Sequence, residues 1–155
     1  MKRAKVNGVE LEYEVNGSGE PVLMISPVVA AGFLPFANAP AMADRHRLIR
    51  YHKRGWCGST HTKAPVSIAE HAADAAGLLD HLDIHRVHVA GHSSGALVAM
   101  QLALDRPELV HTLILLEPSL LTVPGARILL EKAAYAFKPI RPETTGRPWA
   151  ASSAW

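Results

Sequence analysis

The stretch Val87-His88-Val89-Ala90-Gly91-His92-Ser93-Ser94-Gly95-Ala96-Leu97-Val98-Ala99-Met100 leaves a chain few ways to fold. A short apolar run rich in β-branched residues is followed, with no spacer, by glycines flanking Ser93 and then by a second apolar run of helical length. A strand and a helix joined so abruptly need a sharp turn. Gly91 and Gly95 let the two backbones close on each other where a larger side chain would collide. The turn holds the Ser93 hydroxyl out at the end of the sheet, and the first turn of the helix brings free N–H groups and a dipole that favours negative charge.

The rest of the chain supplies partners for that unit. Val9-Glu10-Leu11-Glu12-Tyr13-Glu14-Val15 alternates apolar and polar, and the preceding Asn7-Gly8 is a hairpin signal, so the chain opens with a β-hairpin. Val22-Leu23-Met24-Ile25 is a continuous apolar run suited to a strand covered on both faces. Residues 47–51, 86–90 and 112–116 read as further strands. Helical patterns lie between them. Ser67 and Glu70 form a capping box for a helix over 68–82, with Ile68, Ala72, Ala75, Leu78, Leu79 and Leu82 on one face, and a second helix runs from about Ser94 to Leu104. Strands alternating with helices predict an α/β fold, a three-layer sandwich around a mostly parallel sheet. A weaker helical pattern covers 124–137. The proline-rich segment from Pro139 has no period, so residues 1–138 are read as the core, with the start of a cap region from about 119, and 139–155 as an irregular tail.

Composition narrows the function classes. Sixteen basic residues against fourteen acidic ones, scattered along 155 positions, give no basic face for nucleic acid. The densest basic stretch, Arg45 to Arg54, reads as a solvated strand end, and Asp74, Asp80 and Asp83 on or after the helix from Ile68 are expected to meet solvent. A lone Cys57, a polar N-terminus and the lack of a long apolar run point to a cytoplasmic protein without a membrane span. Among nine histidines, His81, His85, His88 and His92 have a 4-3-4 spacing that would suit a metal on one helical face. The strand over 86–90 cuts through it, so no metal site is expected.

In this order of elements the chain resembles the α/β-hydrolase family over roughly residues 9–137. The resemblance rests on the strand ending at Ser26, the loop after it, and the stretch from Arg50 to Thr60, which is similar to the family's Gly-x-Gly-x-Ser loop. It continues through the G-x-S-x-G elbow and Arg106-Pro107-Glu108-Leu109-Val110, which leads to Leu113-Ile114-Leu115-Leu116-Glu117-Pro118. It implies a hydrolase without a cofactor, in which Ser93 attacks an ester-like carbonyl of a small molecule and the backbone N–H groups of Ser94 and Val28 hold the oxyanion. Two departures stand out. Members usually carry His-Gly where this chain has Ser26-Pro27, and Pro27 has no N–H to offer.

The second departure concerns the triad, whose acid and histidine follow the serine in the family's chain order. Glu117 occupies a place where some members carry the acid; its other reading is a residue that hydrogen-bonds loop backbone. The last histidine, His111, precedes that position, and His92 is expected to point into the protein or toward a neighbouring loop. The resemblance thus covers the front of the domain, truncated before the last strands, and the chain is expected to be a poor hydrolase. Its rivals are a non-enzymatic binding protein and a haloperoxidase-like or lyase activity on the same scaffold. The apolar strand over 112–116 would be an open edge that favours a homodimer or poor solubility.

Overall fold

The computed structural model describes residues 1–27 and 32–120, and Met1–Ser119 form one compact unit. It opens with the antiparallel hairpin of β1 (Lys2–Val6) and β2 (Val9–Asn16), in which Val6 pairs with Val9. Asn7 and Gly8 both take positive φ, 46° and 73°, the pair of left-handed residues a two-residue hairpin of this twist requires. Next come β3 (Glu20–Ile25), the one-turn helices α1 (Leu34–Ala37) and α2 (Pro40–Ala43), and β4 (His46–Tyr51). Helix α3 (Ile68–His81), β5 (Val87–His92), α4 (Ser94–Asp105) and β6 (Val110–Leu116) complete the unit.

The strands lie in one sheet in the order β1-β2-β4-β3-β5-β6. Only the β1–β2 and β2–β4 pairings are antiparallel; β3 pairs in parallel with both β4 and β5, and β5 with β6. The sheet is therefore mostly parallel, with helices as crossovers, as the alternating pattern requires. Side chains alternate across β3: Leu23 and Ile25 enter a large core with Leu11, Ile49, Leu78, Leu79, Val89, Val98 and Leu102. Val22 and Met24 enter a smaller one with Phe33, Ala37, Leu48 and Ala90 on the opposite face. Helices α3 and α4 cover the first face, and the capping box of Ser67 and Glu70 starts α3.

Two sequence expectations need correction. Asp74 is fully buried instead of solvated, because it lies on the same helical stripe as His71 and Leu78 and faces the sheet. It receives Nε and Nη2 of Arg54, at 2.6 and 2.5 Å, and Nδ2 of Asn7 at 3.3 Å. The basic stretch ending at Arg54 is likewise not a solvated strand end. Arg50 is 7% exposed and donates to Glu14, and Lys53 is 8% exposed; β4 is an interior strand, flanked by β2 and β3. The loop after β4 then folds back onto β2: Glu12 and Glu10 donate their N–H groups to the hydroxyls of Ser59 and Thr60.

The helical pattern over 124–137 and the tail over 139–155 lie outside the described residues, as does most of the region read as the start of a cap. Among the described residues, no helix is long and apolar enough to cross a membrane.

Candidate active site

Strand β5 runs two residues further than its apolar run, through Gly91 and His92, which pair with Leu115 and Leu116 of β6. Helix α4 begins at Ser94, so Ser93 alone makes the turn, at φ 54° and ψ −118°, a conformation that costs a side-chain-bearing residue free energy. Both glycines are required by close approach. A Cβ on Gly91 would stand 2.6 Å from the carbonyl oxygen of Gly95, and one on Gly95 would fall on the carbonyl oxygen of Ile25 at the end of β3. The turn is pinned from outside as well, since the Ser93 N–H donates to Leu116 O at 2.9 Å.

A serine before a helix often serves only as its N-cap. Here the Ser93 side chain makes no cap hydrogen bond. Its Oγ instead lies 2.9 Å from Oγ of Ser119, which arrives after β6. The strain and the missing cap bond together leave the hydroxyl at the sheet's carboxyl edge, above the N-terminal turn of α4, where backbone N–H groups are free to meet a developing anion.

The other expected site residues divide. Ser94 heads α4 beside Ser93, so its N–H belongs to that first turn. Val28 lies outside the described residues. Glu117, at a positive φ of 46° with its side chain 90% exposed, places Oε2 3.5 Å from Nε2 of His92. His92 turns toward neighbouring loops: besides Glu117 its ring meets Phe33 edge-on, with centroids 6.5 Å apart. Next to this pair opens a hollow of about 460 Å³ lined by Gly32, Phe33, Phe36, His92, Leu115, Leu116 and Glu117, but not by Ser93. The four spaced histidines point apart. His81 packs edge-on against Tyr13, His85 meets Asp83, and His88 lies between Thr112 and Glu20.

Two groups at the site were not found from sequence. Ser119 lacks any motif, and its proximity to Ser93 depends on the turn after β6. Lys53 places Nζ 3.5 Å from Oγ of Ser94, and burial pushes its ammonium below the ordinary lysine range. Next to it His71 is held below its usual value, chiefly by burial and then by the Lys53 charge, with its Nδ1 buried and unpaired among the described residues.

Residues 21–147 match the family described as alpha/beta hydrolase fold. A protein of Azorhizobium caulinodans named as carbamate hydrolase RutD is 35% identical over 113 residues, 73% of this chain and 43% of that protein. One of Mycobacterium tuberculosis named as non-heme bromoperoxidase BpoC is 34% identical over 110 residues, 70% of this chain and 42% of its own length. The enol-lactonase from Burkholderia xenovorans LB400 superposes with a TM-score of 0.67 at 27% identity, covering 72% of this chain and 45% of the enzyme. The chain thus spans 43% and 42% of the two curated relatives it is compared with. With the family's sequence match extending over residues 21–147, most of its length, the chain belongs to the α/β-hydrolase family.

Proposed function

We propose that this chain carries the nucleophile half of a serine hydrolase acting on an ester-like carbonyl of a small molecule, with Ser93 as the nucleophile. The observation that carries the reading is the strained, uncapped Ser93 at the turn between β5 and α4. In the proposed step Oγ adds to the carbonyl carbon, the carbonyl π pair moves to oxygen, and the hydroxyl proton leaves to solvent or a base. The oxyanion is held by the Ser94 N–H and by a second donor from the loop after β3, for which Val28 is the candidate. Collapse expels the alcohol and leaves an acyl-serine that water hydrolyses. The relatives' names, carbamate hydrolase and enol-lactonase, share an acyl carbon bearing a heteroatom leaving group. The hollow beside His92 offers apolar surface for part of such a substrate. No cofactor enters this chemistry, and the single, exposed Cys57 suits a reducing, cytoplasmic setting.

A second reading, a binding protein without turnover, draws on a specific observation. Oγ of Ser93 faces another hydroxyl, and no histidine follows His111 in these 155 residues. A serine without a base within reach is a weak nucleophile. Treatment with p-nitrophenyl acetate followed by peptide mass mapping distinguishes the two. The hydrolase reading predicts slow acetylation of Ser93, with steady turnover barely above that of Ser93→Ala. Absence of acetyl on Ser93 after exhaustive treatment would favour the binding protein.

A further inference from the structure

Lys53 stands where a cation is costly. Its side chain is buried near His71 of α3, and its nitrogen lies beside the first turn of α4, the positive end of that helix. Nothing among the described residues neutralises it. Asp74 is occupied by Arg54 and Asn7, and Glu70 is taken by the N–H and hydroxyl of Ser67 with Arg54 at 3.9 Å. The only hydrogen-bond partner of Nζ among the described residues is Oγ of Ser94, at a long 3.5 Å. An ammonium with three donors and one such partner is poorly satisfied in the resting protein.

We propose that Lys53 is a positioning residue of the Ser93 site: its ammonium holds Ser94 in place and balances the negative charge that forms on the carbonyl oxygen, held by the Ser94 N–H, when Ser93 adds to a carbonyl. This rests on the reading of Ser93 as nucleophile and adds a residue and a role to it. A charge left uncompensated in the free protein and compensated only in the tetrahedral adduct favours the adduct over the ground state. The neighbouring titratable groups do not take over that role. From α3, His71 titrates below its ordinary value, and Asp74 and Glu70 are bound as described. Arg54 on the same loop is held charged by Asp74, and burial keeps the Tyr51 hydroxyl protonated.

Binding of phenylboronic acid followed by ¹¹B NMR tests this without turnover, because a tetrahedral boronate on Ser93 carries the same negative charge as the oxyanion. At about pH 7.5, Lys53→Met should bind on the order of tenfold more weakly than the wild type. That gap should close as pH rises and the wild-type ammonium, depressed by burial, loses its proton. Lys53→Arg should retain affinity and keep it at the pH where the wild type declines. Equal binding by Lys53→Met, or a loss independent of pH that arginine does not restore, would overturn the proposal. Should Lys53→Met not fold, the comparison of Lys53→Arg with wild type across pH decides it, identical declines counting against. At about pH 7.5, where free phenylboronic acid is still mostly trigonal, Ser93→Ala should abolish the protein-bound tetrahedral signal. If it does not, or if the wild type gives none, the nucleophile reading itself fails and this proposal with it.

Discussion

At the elbow one methyl group is enough to break the geometry. Gly95→Ala would drive a Cβ onto the Ile25 carbonyl at the end of β3, a backbone atom that cannot swing aside, and is expected to cost about 1–3 kcal/mol in urea titration. The Arg54–Asp74 pair is the other residue-scale liability. Asp74→Ala leaves the Arg54 guanidinium without its partner beneath α3 and should destabilise by about 3–5 kcal/mol in the same assay. These two features differ in how they appear in the sequence. The G-x-S-x-G spacing is local, so Gly91, Ser93 and Gly95 were legible from the chain alone. Asp74 was not, because a helical aspartate is solvated by default and its partner lies 20 residues away. Lys53 and Ser119 were hidden for the same reason, since each reaches the site through the tertiary fold.

Among the elements, every strand except β1 and both long helices were readable from period and punctuation. The hairpin signal at Asn7-Gly8 implied β1 without marking its extent. Helices α1 and α2 were not foreseen, since each is a single turn opened by a proline and carries no period. Strand β6 matters most at this scale. Among the described residues it pairs with β5 alone, and Leu113, Ile114 and Leu116 are 38, 49 and 40% exposed. We propose that this edge pairs with a second copy of the chain, since an uncovered apolar edge strand is a template for strand addition. Light scattering behind a size-exclusion column should show dimers or larger species that Ile114→Lys shifts to monomer. A wild type that is already monomeric at all concentrations would contradict this.

Over the whole molecule the groups held below their ordinary values act in one direction with pH. The Glu12 carboxyl is held low, first by its hydrogen bond to His52, so the stability it contributes is present above the usual carboxylate range and lost as pH falls through its folded value. His71 and Lys53 are lowered by burial, so the folded protein binds fewer protons than the unfolded chain below about pH 6.5 and about pH 10.4 respectively. Each makes stability rise with pH across its window. Thermal melts should therefore shift downward steadily from mildly alkaline to acidic buffer, and Lys53→Met, which removes one buried charge, should weaken the slope on the alkaline side and melt no lower than wild type near neutrality. A melting temperature that peaks at acidic pH would contradict the burial of these groups.

The central claim is that the strained serine between β5 and α4 is the reactive group of the chain, and a fluorophosphonate probe with peptide mass mapping tests it most directly. Attack by Oγ on phosphorus expels fluoride and leaves a stable phosphonyl-serine, so one slow turnover is enough and no deacylation is needed. The account predicts a single modification, on Ser93, absent from Ser93→Ala and absent after unfolding in urea before labelling. Labelling that survives Ser93→Ala, or a folded chain in which Ser93 reacts no faster than the exposed serines, would contradict it.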